Sequence, residues 1–430
     1  MSDTNVAAMP AIKKPAKAVL KKKSNKSVFC RINDWLHLWL GLTSGIIVFI
    51  VSVTGCIYAF EKEIRSVTQP YQFVTPQDKA YISPSVLKSL AEKHQFGAKA
   101  GKPGSVIQGV QYPGKDKAAI ATYRDKKTGY MMIYMNPYSG EIVKVKALEK
   151  DFFRIVLMGH FNLWLPRDVG QPIVSWAVLI FVVLLITGLV MWWPKNLKKA
   201  NVDKSFKIKW KATFKRVNYD LHNVLGFYVV IGALIIAITG LYFGFKWVPK
   251  SIYWVASGGK TMPDRKGKFT SDTTVLLQPI AAAKITSPAD TVWSRLYTQY
   301  KGQGSLQIQF PLTKSDAITA TYNSQEGTFY KSLTRYFDQY TLKEIKANTI
   351  FNKPYEESNA ADKLIRMNYD IHIGAIGGIA GKSLAFLISL ICASLPVTGF
   401  IVWWGKRKKK SKKQKLQPKI AVDKSFVTAQ

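Results

Sequence analysis

Arg31-Ile-Asn-Asp-Trp-Leu-His37 runs straight into an apolar stretch that closes on Thr54-Gly55, and the chain repeats this frame three more times. Arg154 to His160, Arg216 to His222 and Arg366 to His372 keep the Arg-to-His spacing. The apolar runs that follow close on Thr187-Gly188, Thr239-Gly240 and Thr398-Gly399. Three copies place Asn four residues before the His, at Asn33, Asn218 and Asn368. Of the 5 histidines in the chain, only His94 stands outside the frame. The His-to-Thr spacing alternates. It is 17 residues in the first and third copies (37 to 54, 222 to 239), against 27 and 26 in the second and fourth (160 to 187, 372 to 398). The simplest origin is a duplicated unit of two helices, one short-spaced and one long-spaced.

The apolar residues concentrate in four runs, Trp39–Phe60, Pro172–Trp193, Val224–Trp247 and Ser383–Trp404. Each is long enough for the roughly 30 Å hydrocarbon core, which needs ~20 apolar residues. Buried helices of a soluble domain would be shorter and interrupted by charge. Trp192-Trp193-Pro-Lys and Trp403-Trp404-Gly-Lys end the second and fourth runs alike, with aromatic rings at headgroup level and a cation just beyond.

The net charge of +36 supplies an orientation. Lysines crowd the stretch before the first span, the connection at Lys195–Arg216 and the tail from Arg407, which all fall on one side if the spans alternate. The positive-inside rule makes that side cytoplasmic. Lysine runs beside spans are topology determinants and anionic-lipid contacts, so the charge does not point to nucleic acid. The N-terminal stretch is too polar for a signal peptide, and the first span is expected to remain as an anchor.

The expected layout is a basic cytoplasmic N-terminus (1–34), first span (35–61), outer module (62–170), second span (171–194), basic loop (195–219), third span (220–248), second outer module (249–371), the His372 segment with the fourth span (372–404), and a basic tail (405–430). It predicts a multi-pass protein of the bacterial inner membrane with both termini cytoplasmic.

Each outer loop is long enough to fold as a modest α+β module. Residues 118–123, 130–135 and 141–145 read as strands, with Asn136-Pro-Tyr-Ser-Gly140 as a turn. Residues 306–310, 317–322, 327–331 and 332–337 read as strands of the second module. One helix is expected in each, at Pro84–His94 and Thr274–Lys284. The cysteines build no disulfide framework: Cys30 is expected to be cytoplasmic, and Cys56 and Cys392 fall in spans.

On this topology His37 and His222 lie at cytoplasmic span ends, and His160 and His372 just outside the outer ends of their spans. Only same-side histidines can meet, so two pairs follow. Ionisable groups at helix ends of a membrane bundle mark a functional site, and imidazole is a good iron ligand. Two facing histidines suit a six-coordinate b-type haem, whereas zinc calls for four ligands. Gly41, Gly45, Gly226, Gly240, Gly244, Gly374, Gly377, Gly378 and Gly381 leave room for a macrocycle or for close helix contact. The outer Arg154 and Arg366 do not follow from topology and are candidates to pair with haem propionates.

The chain resembles the PepSY-associated transmembrane-helix proteins, which include iron-regulated membrane proteins and ferric-siderophore reductases. The resemblance runs from about Ile32 to Trp404 and rests on Asp34-Trp-Leu-His-Leu-Trp-Leu-Gly41, Gly159-His160, Tyr219-Asp-Leu-His222, Tyr369-Asp-Ile-His372, and the strand ends Tyr134-Met-Asn-Pro-Tyr-Ser-Gly140 and Tyr336-Phe-Asp-Gln-Tyr-Thr341. Leu342 stands where the second turn would have Gly.

The resemblance implies two haem b groups held by these helices and electron transfer across the membrane to ferric-siderophore iron in the periplasm. The axial ligands would be His37, His222, His160 and His372. No Gly-x-Gly-x-x-Gly follows a strand, so the electron donor is expected to be a membrane quinol or a cytoplasmic reductase. Trp293, Tyr297, Tyr300, Tyr322, Tyr330, Tyr336 and Tyr340 are candidates for a surface that docks the chelate. The rival readings are a non-catalytic, membrane-anchored PepSY-like binding protein and a dihaem carrier with another periplasmic acceptor.

Overall fold

The computed structural model describes residues 27–102, 104–194, 196, 198–265, 267, 269–274 and 287–415. The first helix, α1, spans Val28–Ala59 and is capped by Ser27, whose hydroxyl accepts from the Cys30 amide at 3.2 Å. It takes in the whole Arg31–His37 stretch, so the helix begins well before its apolar run. Next come α2 (Glu61–Thr68), α3 (Pro84–Phe96), strands β1 (Gly109–Tyr112), β2 (Ala119–Asp125), β3 (Gly129–Met135) and β4 (Ile142–Ala147), α4 (Phe152–Asn162) and α5 (Arg167–Trp192). A short helix α6 (Lys199–Phe206) precedes α7 (Phe214–Asp220), a π turn (Leu221–Leu225) and α8 (Gly226–Gly244), which together make one membrane-length helix. The chain continues through α9 (Trp247–Ala256), α10 (Pro288–Gln299), β5 (Ser305–Gln309), β6 (Ile318–Asn323), β7 (Ser332–Phe337), β8 (Glu344–Ile345), α11 (Ala360–His372) and α12 (Gly378–Lys415).

Among the described residues four helices are long and apolar enough to cross a membrane: Val28–Ala59, Arg167–Trp192, Phe214–Gly244 and Ala375–Arg407. Their burial is the reverse of a soluble bundle. Ile46, Trp176, Ile186, Ile231, Leu384 and Leu387 point outward, while Ser44, Gly45, Thr54, Ala233, Ala237 and Thr239 face the interior. Large apolar chains meet lipid at no cost, and small or hydroxyl residues let the helices approach. The glycines of this bundle serve close contact more than open space. A Cβ on Gly45 would lie 3.3 Å from Pro396, and one on Gly374, whose φ is +75°, would collide with the Gly381 carbonyl.

Two separate outer modules were expected; the strands instead form one sheet. The order is β4-β3-β2-β1-β5-β6-β7-β8, antiparallel at every pairing. The join is β1 against β5, with Val110 opposite Ile308 and Tyr112 opposite Leu306. Alone, each half would expose β1 or β5 as an open edge, and pairing removes both edges. Val110 and Ile308 are fully buried, under Leu87 and Ala91 of α3 and Val292 and Leu296 of α10, so the halves share one core.

The strands β2, β3, β4, β5, β6 and β7 fall where expected, give or take a residue or two. β1 was not foreseen, because Gly-Val-Gln-Tyr is short and starts on Gly. The strand expected at 327–331 is a turn. The helix expected at Thr274–Lys284 lies, but for its first residue, outside the described residues, as do the N-terminal lysines; among the described residues α10 covers the second half of the sheet. The two corresponding turns form in the same way. Asn136 accepts from the Tyr138 amide at 2.9 Å and Asp338 from the Tyr340 amide at 2.9 Å. Leu342 takes the left-handed φ of +56° where Gly140 has +76°, and its side chain packs on the shared core. Of the aromatics expected to dock the chelate, Trp293 and Tyr336 are buried, while Tyr297, Tyr300, Tyr322, Tyr330 and Tyr340 are partly exposed, the first three of these packing against the shared core.

Two clamps fix the sheet to the helices that end in His160 and His372. Asp151 caps α4 and is held by Arg65 of α2 (2.9 Å) and Lys146 of β4 (2.6 Å). Burial alone would raise its pKa, but these two cations outweigh it and hold the carboxyl at about 2. In the other half Asp370 of α11, fully buried, accepts from the amides of Phe329 (2.9 Å) and Tyr330 (2.7 Å) in the turn between β6 and β7. Here burial dominates, and the carboxyl is pushed above its ordinary value.

Candidate functional site

His37 lies in the third turn of α1, His160 and His372 lie in the last turns of α4 and α11, and His222 sits in the π turn between α7 and α8. Single π turns inside α-helices recur at functional sites, and this one re-aims one imidazole within an otherwise continuous helix. The structure brings His37 to His222, ring centroids 6.4 Å apart and planes at 85°, and His160 to His372, 6.1 Å apart and at 64°. These are the pairs that alternating spans require. The first lies on the side of the chain termini, the second on the side of the sheet.

Each His is seated by the Thr-Gly of another copy. His37 Nδ1 meets Thr187 Oγ1 at 2.9 Å, and His160 Nδ1 meets Thr54 Oγ1 at 3.3 Å and the Val51 carbonyl at 2.8 Å. His222 Nδ1 meets Thr398 Oγ1 at 3.0 Å and the Leu395 carbonyl at 3.1 Å; His372 Nδ1 meets Thr239 Oγ1 and the Ile236 carbonyl, both at 3.0 Å. Copies one and two thus exchange seats, and so do copies three and four. The Asn of the frame braces the same spot. Asn33, Asn218 and Asn368 donate to the carbonyls of Thr187, Thr398 and Thr239 at 3.1, 3.0 and 3.1 Å. The glycine after each Thr gives the ring its room, since a Cβ on Gly188, Gly55, Gly399 or Gly240 would stand only 3.1–3.3 Å from the imidazole Cε1.

These contacts decide the tautomer. Every one of the four threonines already gives its hydroxyl proton to a carbonyl of its own helix, for example Thr187 to Val183 at 2.9 Å and Thr239 to Ile235 at 2.8 Å. Toward the imidazole the hydroxyl is therefore an acceptor, and carbonyls always are. Nδ1 must carry the proton. Nε2 is then a bare lone pair, and among the described residues it has no hydrogen-bond partner. Burial also pushes His160 and His372 below their ordinary values, His372 to about 4, which favours the neutral ligand form.

This donor set fits a metal held between two axial imidazoles. Metal–imidazole bonds are about 2.0 Å, so two rings on opposite sides of one ion stand roughly 6 Å apart, centroid to centroid. Both pairs meet that separation. Among the described residues no group of three or more His, Cys, Asp or Glu could hold a metal ion. A cavity of about 440 Å³ adjoins the sheet-side pair, walled by apolar residues of α1, α5, α8 and α12 such as Val51, Phe181, Ala237 and Ile388, with His160 and His372 in its lining.

Arg154 lines the same cavity, whereas the expectation for Arg366 is corrected. Its side chain is 1% exposed and turned into the sheet side of α11. There it donates to the carbonyls of Tyr330 (2.8 Å), Lys353 (2.9 Å) and Ser332 (2.8 Å) and to Ser358 Oγ (2.9 Å). Each nitrogen already donates to a protein acceptor, and Arg366 does not line the cavity. The two arginines share a position in the repeated frame and differ in surroundings. The frame missed Arg167, Tyr58 and Tyr369, which also line the cavity. Tyr369 adjoins the repeated Asp-x-His, but Arg167 and Tyr58 carry no signal in the frame.

Residues 35–406 match the model of the family described as the PepSY-associated TM region. The chain belongs to that family. No curated protein matches it. The match covers all four spans and the sheet, which makes the chain a multi-pass membrane protein of PepSY-associated type.

Proposed function

We propose that this PepSY-associated protein is a reductase of the bacterial inner membrane that passes electrons from the cytoplasmic side to ferric-siderophore iron in the periplasm. His37 with His222, and His160 with His372, each hold one haem b. The observation that carries the reading is the fourfold seat, in which Thr and Gly, joined by Asn in three copies, serve one purpose, to present a deprotonated Nε2 at an iron-sized gap on either side of the bundle. When bound, the haem supplies one-electron chemistry at both faces.

The chain's own residues do the rest. The Nδ1–H bonds orient the rings and raise their basicity as ligands. The apolar span faces exclude water, and the basic connection and tail set the sheet in the periplasm. Periplasmic Fe(III) is substrate here, and on reduction it loses affinity for hard oxygen donors, so release needs no bond in the siderophore to break. The reciprocal seats are read as the product of a duplicated two-helix unit. Membrane quinol or a cytoplasmic reductase supplies the electrons.

The test is oxidation of the dithionite-reduced protein by a panel of acceptors. Ferric chelates are expected to reoxidise it with Fe(II) appearing in step. Reoxidation only by a copper protein or a flavin would reassign the acceptor. A second expectation concerns the seats. Thr187→Val keeps the shape and removes the acceptor at His37, and is expected to weaken haem retention at that pair by 10- to 100-fold, the usual effect of losing such a partner. Retention by dialysis against apomyoglobin reads this out, and unchanged retention would show that the tautomer does not depend on the hydroxyl.

A further inference from the structure

The sheet-side cavity is rich in donors and poor in acids. Among the described residues no Asp or Glu lines it, while Arg154, Arg167, Tyr58 and Tyr369 do. Arg167 is held in place. Its Nε donates to Gln171 Oε1 at 3.0 Å, Gln171 Nε2 is fixed on the Phe243 carbonyl at 2.9 Å, and the guanidinium lies 5.7 Å over the Phe161 ring. Arg154 is tethered only by Nε, to Glu149 at 3.2 Å in a half-exposed pair. Neither arginine meets a carboxylate through its terminal nitrogens among the described residues, and the two tyrosine hydroxyls have no hydrogen-bond partner there. Asn162 adds one buried acceptor, Oδ1, which is likewise unpartnered.

We infer that the mouth of this cavity is a carboxylate-binding site, with Arg154 and Arg167 as charged donors and Tyr58 and Tyr369 as neutral ones. Two cations and two hydroxyls without an acid among them match a ligand that brings its own negative charge, and a guanidinium meets a carboxylate with paired hydrogen bonds. Asn162 Oδ1 then takes a water or a protonated acid. The carboxylates have two possible sources: a macrocycle seated on His160 and His372, which rests on the reading above, or a carboxylate-bearing ferric chelate arriving from the sheet side.

The test uses full-length protein in detergent, prepared haem-free, with His37→Ala confining titration to the sheet-side pair. Binding of haem b is compared with that of its dimethyl ester in this background and with Arg154→Gln/Arg167→Gln added, folding being checked by melting temperature. A preference of about tenfold or more for the free acid, lost in the arginine variant, assigns the site to the macrocycle. An unchanged preference, with the KM for ferric citrate raised about tenfold and that for a neutral ferric hydroxamate unmoved, assigns it to the chelate. If neither quantity moves, the carboxylate site is overturned. If the wild-type chain binds no haem at all, the reading above fails and this one is judged by calorimetry with citrate: binding that the arginine variant loses upholds the site, and no binding by the wild type overturns it.

Discussion

His160→Ala and His372→Ala are expected to remove the same one of two haems, and His37→Ala and His222→Ala the other, each halving the haem per chain. The expectation rests on geometry. Each pair stands 6.1–6.4 Å apart, while its members come from different halves of the chain. Losing one imidazole leaves the partner as a lone axial ligand, and no third histidine lines the cavity beside the sheet-side pair. The seats add a finer expectation. Because His37 rests on Thr187 and His160 on Thr54, damage to α5 at Thr187 should reach the terminus-side haem first and spare the other. Low-temperature spectra of the four variants distinguish the two sites. Loss of one and the same haem in His37→Ala and His160→Ala would break the pairing.

Arg366→Met is expected to cost about 3 kcal/mol of stability or more, since a buried acceptor left without its donor costs about 1–3 kcal/mol and several are left at once. Met fills most of the volume between Phe351 and Tyr355, whose rings lie 5.1 and 5.4 Å from the guanidinium. What it cannot do is donate. The carbonyls of Tyr330, Ser332 and Lys353 and the Ser358 hydroxyl would lose a shared donor in a place where water has little access. The turn before β7 and the segment before α11 should loosen together, which limited proteolysis reads out beside the melting temperature. Arg154→Met is the control. Arg154 is partly exposed and its pair with Glu149 is a surface one, worth about 0–1 kcal/mol. Equal melting temperatures for the two variants would contradict the structural role given to Arg366.

The contrast between these two arginines shows what the sequence holds and what it does not. Repetition made the four histidines, the Thr-Gly pairs and the Asn residues visible, and the alternation of apolar runs with charged connections fixed which histidines share a face. Those are local patterns with a period. Which Thr-Gly serves which His is a fact of packing between helices, and no spacing within one helix reveals it. The same holds for Arg366, whose frame position equals that of Arg154 while its burial depends on a turn some 35 residues earlier in the chain, where Tyr330 and Ser332 lie. Most strands of each half were legible, as was the helix of the first, whereas α10 was not predicted. The join of β1 to β5 was not, because Gly109–Tyr112 is too short to announce a strand and its partner lies almost 200 residues away. Arg167 and Tyr58 escaped because they fall outside the repeated frame and gain a role only where the cavity brings them together.

The most direct test of the central claim is the pyridine haemochrome spectrum of the purified full-length protein, with haem counted per chain after expression with ample haem. Two histidine pairs, each with a bare Nε2, predict about two b-type haems per polypeptide. A protein that is folded, by its melting transition, and carries no haem would contradict the account and leave the four helices as the anchor of a PepSY-associated binding protein.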